Sequence, residues 1–254
     1  MILAERVKGG FYRRDKLFHA RILLIAKLLI TIVPPLGDGM EIDLKYTHLF
    51  WDFNGTILAD MQAGLDSTNA MLRERGLPQI PGVEAYRDIF DFPIKEYYRG
   101  LGFDFEKEPY EVLAPLWVDL YNENSKTAQL TDGISEVFEN VKIMGVPQIV
   151  FSATEHSMLC RQLLELGVTD YFDEIIGLDN IHAESKLHLA KKWRDEHPEA
   201  AILYVGDTVH DAANASVLKA DCLLYSKGHQ SQKRLQSCGF TLIDDIRDVL
   251  LYLK

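Results

Sequence analysis

From residue 40 onward the chain alternates short apolar runs with stretches of helical period. The runs at 46–51, 148–151, 174–176, 201–205, 222–225 and 241–243 predict strands. Several are continuously apolar rather than alternating, the pattern of parallel strands covered on both faces. Helical periods fall between most of them, for example at 157–166, 186–196 and 211–219. This alternation predicts an α/β fold with a doubly wound, mainly parallel sheet.

One interval breaks the rhythm. Between the first and second strands, residues 59–145 carry long helical patterns such as MQAGLDSTNAMLRERG and EPYEVLAPLWVDLYNENS, with no convincing buried strand. A helical insert is the simplest account. The expected organisation is an α/β core over 40–59 and 135–254 with a helical cap over 60–134. An insert at this point is placed to act as a lid over the carboxyl ends of the strands.

Charge divides the chain differently. The whole carries −11, but residues 1–39 hold seven Lys and Arg against three acids, a net +4, which leaves −15 for the rest. So acidic a body lacks the basic face that neutralising phosphate backbones requires, which excludes a nucleic-acid binder. The leader contains RILLIAKLLITIVPPLG, an apolar run broken by Lys27 and stopped by Pro34-Pro35. It is too short for a membrane span, so no stable membrane insertion is expected. It reads either as an amphipathic surface helix or as a start preceding a domain that opens at Met40. Cys160, Cys222 and Cys238 are odd in number and scattered, which suits a reducing cytoplasm and offers no zinc framework. Nothing in the sequence indicates an oligomeric state.

Four polar clusters follow strand ends. Asp52 follows the first, in HLFWDFNGTILAD; Ser152 and Ala153 follow the second; Lys186 lies in a loop after the third; Gly206-Asp207 ends the fourth, in LYVGDTVHDAANA. In a doubly wound sheet these ends converge on one crevice. Three carboxylates (Asp52, Asp207, Asp211) beside a lysine and a hydroxyl make a site for a divalent cation and a phosphoryl group, and hard oxygen ligands suit Mg²⁺. Singly, each residue has a structural reading. Ser152 can cap a helix, Lys186 can be a surface lysine, and Asp207 and Asp211 can flank a helix N-terminus. Together, and in this order, they point to a site.

The chain resembles the haloacid dehalogenase-like hydrolases over nearly everything from residue 46 to the end. DFNGT, IVFSA, AESK and GDTVHD are similar to that family's four ordered motifs. The insert's position, and the stretch FDFPIKEYYRGLGFDF, resemble the helical cap of phosphoglycolate phosphatase-like members. The resemblance implies a Mg²⁺-dependent phosphatase acting on a small phosphorylated metabolite through an aspartyl-phosphate. Asp52 is then the nucleophile. Asp52, the Asn54 carbonyl, Asp207 and Asp211 are the implied metal ligands. Gly55, Thr56, Ser152, Ala153 and Lys186 are the implied phosphate contacts. The acidic metal positions argue against dehalogenation.

The departure is Asn54. Family phosphatases carry a second aspartate there, which protonates the leaving alcohol and then activates water. An amide does neither. Three readings follow: a hydrolase selective for a good leaving group, a substitute acid or base among His210, Glu155 and His156, or a phospho-ligand-binding domain with little turnover. Restoring an aspartate at 54 is expected to raise activity on an alkyl phosphate such as phosphoglycolate. A phosphonate hydrolase is a further alternative, with Lys95 as an imine-forming amine. Lys227, His229, Lys233 and Arg234 form a basic loop that either steers substrate or is simply solvated.

Overall fold

The computed structural model describes residues 44–179, 181 and 186–254; the leader over 1–39 lies outside the described residues. Six strands form one parallel sheet: β1 (His48–Trp51), β4 (Gln148–Glu155), β5 (Glu174–Leu178), β6 (Ile202–Gly206), β7 (Asp221–Tyr225) and β8 (Thr241–Ile243), in the order β5-β4-β1-β6-β7-β8. β1 is central, pairing with β4 on one side and β6 on the other, so the order reverses at β1. Such a reversal opens a crevice at the carboxyl ends of the strands.

The continuous apolar runs are explained by burial on both faces. Leu49, Trp51, Val150, Leu203 and Val205 point to one side, against α5 (Ile134–Met144), α6 (His156–Glu165) and the carboxyl-terminal turn. Phe50, Ile149, Phe151, Ile202 and Tyr204 point to the other, against α7 (Leu187–Glu196) and α8 (Val209–Leu218). Adjacent strand residues therefore enter opposite cores, both of which demand apolar side chains.

The interval between β1 and β4 holds α1 (Met61–Glu74), α2 (Val83–Ile89), α3 (Ile94–Gly100) and α4 (Tyr110–Asn124). These helices bury a cluster of their own, including Leu72, Tyr86, Tyr98 and Leu113. Contrary to the strandless expectation, the segment is tied off by a ribbon in which β2 (Leu58–Ala59) pairs antiparallel with β3 (Gln129–Leu130). Two-residue strands leave no periodicity to read. A second tie comes from α9 (Gln232–Gln236) and the loop before it. Gln230 Nε2 donates to the Phe90 carbonyl at 2.9 Å, Ser231 N donates to the Arg87 carbonyl at 3.0 Å, and Arg234 pairs with Asp91 at 2.6 Å. The chain ends with α10 (Val249–Tyr252). No helix among the described residues is long and apolar enough to cross a membrane.

Phe138 on α5 is fully buried, and its ring lies 5.4 Å from Trp51 and 5.1 Å from Phe172. Phe138→Ala is expected to cost about 3–5 kcal/mol in urea unfolding. A loss below about 1 kcal/mol would show that this face of the sheet is not the closely packed core described.

Candidate active site

The site begins where β1 stops. Asp52 is held by its N–H donating to the Val205 carbonyl at 2.8 Å, which pins the first residue beyond β1 to β6. The chain then turns sharply: Ile57 and Leu58 N–H both donate to the Phe53 carbonyl at 2.9 Å. Gly55 sits at φ +74° inside this turn, and a Cβ there would lie 2.3 Å from an Asp207 carboxylate oxygen. Glycine is required on both counts.

Asp52, Asp207 and Asp211 are buried, with one carboxylate oxygen of each within 4.8 Å of the others. Lys186, 1% exposed, immediately precedes α7. Its ammonium donates to Asp52, to Asp211 Oδ1 at 3.0 Å and to the Phe151 carbonyl at 2.7 Å. Asp211 also accepts from the Tyr204 hydroxyl at 2.9 Å and closes a capping box with Thr208 at the start of α8. Asp207 accepts from the Thr56 hydroxyl at 3.0 Å and from the His229 N–H at 2.6 Å.

One lysine does not balance three buried carboxylates. Burial pushes Asp207 up to about 7, and burial with the Asp211 charge pushes Asp52 well above the usual carboxylate range. Burial also penalises Asp211, but Lys186, His210 and the Thr208 hydroxyl outweigh it and hold the group down at about 2. Lys186 stays protonated because the Asp211 and Asp52 carboxylates outweigh the desolvation that would lower it. A buried oxygen-donor set with surplus negative charge fits a hard divalent cation such as Mg²⁺.

The other expected residues fall nearby, with differing freedom. Ser152 is buried, and its hydroxyl donates to Thr154 Oγ1 at 3.1 Å. Ser152 and Ala153 line a cavity above Asp52, together with Lys186 and Asn54. Gly55 and Thr56 are turned inward. The Gly55 N–H donates to Asp60 and to the Leu58 carbonyl, both at 2.8 Å, and the Thr56 hydroxyl is used by Asp207. These two donors hold the loop.

Asn54 is fixed at both poles. Its Nδ2 donates to Asp60 Oδ2 at 2.8 Å and to the Tyr121 hydroxyl at 2.7 Å; its Oδ1 accepts from Thr154 Oγ1 at 2.8 Å. Asp60, 1% exposed, also accepts from the Tyr121 hydroxyl at 2.6 Å and from His229 Nε2 at 3.1 Å, while His229 Nδ1 meets the Tyr86 hydroxyl at 2.8 Å. Burial would raise the Asp60 carboxyl, but the His229 charge and the hydrogen bonds win and lower it. Burial would lower His229, but Asp60 wins and raises it to about 9. An ionised Asp60 demands donors, which sets the amide's orientation.

Asp60, Thr154, Tyr86 and Tyr121 escaped the sequence reading. Asp60 was visible only as the last residue of the HLFWDFNGTILAD run. His229 belongs to this buried network and not to a solvated loop; Arg234 is spent on Asp91, and only Lys227 and Lys233 lie exposed. Of the proposed substitutes for a second aspartate, Glu155 caps α6 by accepting from Ser157 N and Met158 N, and His156 lies exposed on that helix. His210 lines the cavity with its ring stacked on Phe92, centroids 4.7 Å apart. Lys95 does not line it; its ammonium lies 4.0 Å from Glu111, beside the rings of Phe105 and Tyr110, which gives the imine-forming reading no support.

Residues 49–224 match the family model of haloacid dehalogenase-like hydrolases. The chain is 26% identical over 190 residues to a phosphoglycolate phosphatase of Nitrosococcus oceani, covering 70% of this chain and 84% of that protein. It is 22% identical over 187 residues to a phosphoglycolate phosphatase of Rhodobacter capsulatus, covering 72% and 85%. A haloacid dehalogenase-like hydrolase of Streptococcus pneumoniae superposes with a TM-score of 0.69 at 18% identity, covering 83% of this chain and 99% of that one.

The raised His229 and its buried partner give a pH test with a fixed sign. Stability from the pair is present below about 6.5 and is lost as pH rises through about 9. Its full size is on the order of 3 kcal/mol. Urea unfolding is expected to show this loss in the wild type and a smaller one in Asp60→Asn. Identical pH slopes in the two proteins would contradict the ion pair.

Proposed function

The chain belongs to the haloacid dehalogenase-like hydrolases, and from the residues at its strand ends we propose a phosphatase that hydrolyses a small phosphorylated metabolite through an aspartyl-phosphate on Asp52. The observation that carries the reading is the buried cluster of Asp52, Asp207, Asp211 and Lys186, of which Asp52, Asp211 and Lys186 line a cavity. The relatives named as phosphoglycolate phosphatases support phosphomonoester hydrolysis as the reaction class.

In the proposed reaction a carboxylate oxygen of Asp52 bonds to phosphorus as the ester oxygen departs, which splits one displacement into two easier ones. Lys186 keeps Asp52 aligned and supplies positive charge where charge collects on the phosphoryl oxygens. Ser152, which lines the cavity, would serve those oxygens with its hydroxyl once its contact to Thr154 yields. Asp52, the Asn54 carbonyl, Asp207 and Asp211 would hold Mg²⁺, whose contribution when bound is to neutralise and orient the phosphoryl oxygens. Helices α1–α4, within 60–134, would be the cap that closes over this site, and 40–59 with 135–254 the core that carries it. The scattered free cysteines suit a reducing cytoplasm.

Asn54 cannot protonate the leaving group, and its hydrogen bonds leave it no freedom to act otherwise. A carboxylate in its place would stand 2.8 Å from Asp60 Oδ2. Two carboxylates that close share a proton, which is the state a general acid requires.

Three outcomes are expected. Chelation should abolish turnover and added Mg²⁺ restore it. Asp52→Asn should reduce turnover to background with the fold intact by circular dichroism, and sustained turnover by that variant would remove the covalent scheme. Asn54→Asp should raise kcat on phosphoglycolate by up to about 10²–10⁴-fold. It should also lower the urea midpoint, because it buries a second carboxyl group beside Asp60; an unchanged kcat would show that the amide is not the limiting group.

A further inference from the structure

The cavity above Asp52 has a free volume of about 130 Å³. Phe90, Phe92, Tyr97, Tyr98, Trp117 and Tyr121 are among the residues that line it. On one side the Asn54 amide meets the Tyr121 hydroxyl at 2.7 Å, and the Tyr121 ring stacks on Trp117 at 4.9 Å and 12°. On another, Phe92 stacks on His210. Trp117 and Phe92 are only partly buried, and both line the cavity.

The charges along this wall argue in the same direction. Among the described residues lining the cavity there is no arginine, and the one lysine, Lys186, is bound to Asp52 and Asp211. Both ring nitrogens of His229 are used, by Asp60 and Tyr86. Among the described residues, this wall offers no free cation to a substrate whose organic part is itself a carboxylate. An apolar ring would instead gain area against Trp117 and Phe92.

Resting on the phosphatase reading above, we propose that the substrate is an aryl phosphate whose ring occupies the slot between Trp117 and Phe92. The missing acid then ceases to be a defect. Asp52 bonds to phosphorus, the bond from phosphorus to the aryl oxygen breaks, and the oxygen leaves with the electron pair as a phenolate. A phenolate is stable enough to depart without a proton in place, whereas an alkoxide is not, and it takes its proton from solvent afterwards. Water then attacks the aspartyl-phosphate, the bond to Asp52 breaks, inorganic phosphate leaves, and the water's surplus proton passes to solvent.

The test compares phenyl phosphate with phosphoglycolate on the full chain with Mg²⁺. The expected kcat/KM for phenyl phosphate exceeds that for phosphoglycolate by about 10²-fold or more, the low end of what a general acid supplies. Trp117→Ala should raise KM for phenyl phosphate about tenfold, the equivalent of losing roughly 1.4 kcal/mol of contact. It should leave KM for phosphoglycolate within about twofold, and Trp117→Phe, which keeps a ring, should restore most of the loss; that rescue separates contact from misfolding. Equal or better use of phosphoglycolate, or a KM for phenyl phosphate indifferent to Trp117→Ala, overturns the aryl assignment and leaves the hydrolase reading standing. Absence of turnover with both substrates, or turnover that survives Asp52→Asn, overturns the hydrolase reading and the aryl assignment with it.

Discussion

The structure is organised around uncompensated negative charge. One oxygen from each of three carboxylates lies within 4.8 Å of the others where β1 and β6 end and α8 begins, with Lys186 as their only direct ammonium partner among the described residues. Burying charge without full compensation is expensive, so the surroundings are built to hold it. Thr56, Tyr204, Thr208 and the His229 backbone all donate into the cluster. Glycines keep its walls thin: a Cβ on Gly228 would lie 2.2 Å from Asp207, and one on Gly55 scarcely farther. A protein folding for stability alone would gain nothing from this arrangement. A surplus of this sign is the kind that a bound divalent cation offsets, as the proposed function requires.

Around that cluster runs a second network with the opposite logic. Asp60 and His229 form a satisfied buried pair, and Tyr86, Tyr121, Thr154 and Asn54 complete it. It joins the β1 loop to α2, α4 and the loop before α9, so Asn54, two residues after Asp52, is tied directly to the helical segment. Asn54 is therefore part of the fold's wiring as well as a change in chemistry. The same amide, which carries no titratable proton, is oriented by a carboxylate the site keeps ionised.

The sheet was legible because parallel strands buried on both faces must be apolar throughout. Each of the six expected runs overlaps an observed strand, with edges displaced by up to two residues except in β4, which extends to Glu155. The convergence of Asp52, Ser152, Lys186 and Asp207 followed from topology, since strand ends in such a sheet share one crevice. The ribbon of β2 and β3 was not legible, because two residues carry no period. Nor was the Asp60 network: its partners lie 61 residues away at Tyr121 and 169 away at His229, and no local pattern records such a pairing. His229 read as a loop charge because its burial is decided entirely by what folds over it.

The central claim is that Asp52 carries the phosphoryl group between two chemical steps. Protein turning over phenyl phosphate with Mg²⁺ can be quenched in acid, digested and weighed peptide by peptide. The account predicts a phosphorylated peptide containing Asp52, accumulated to a substantial fraction of the enzyme, because no carboxylate stands at position 54 to activate water for the second step. Continued turnover with an unmodified Asp52 peptide at every quench time would contradict it.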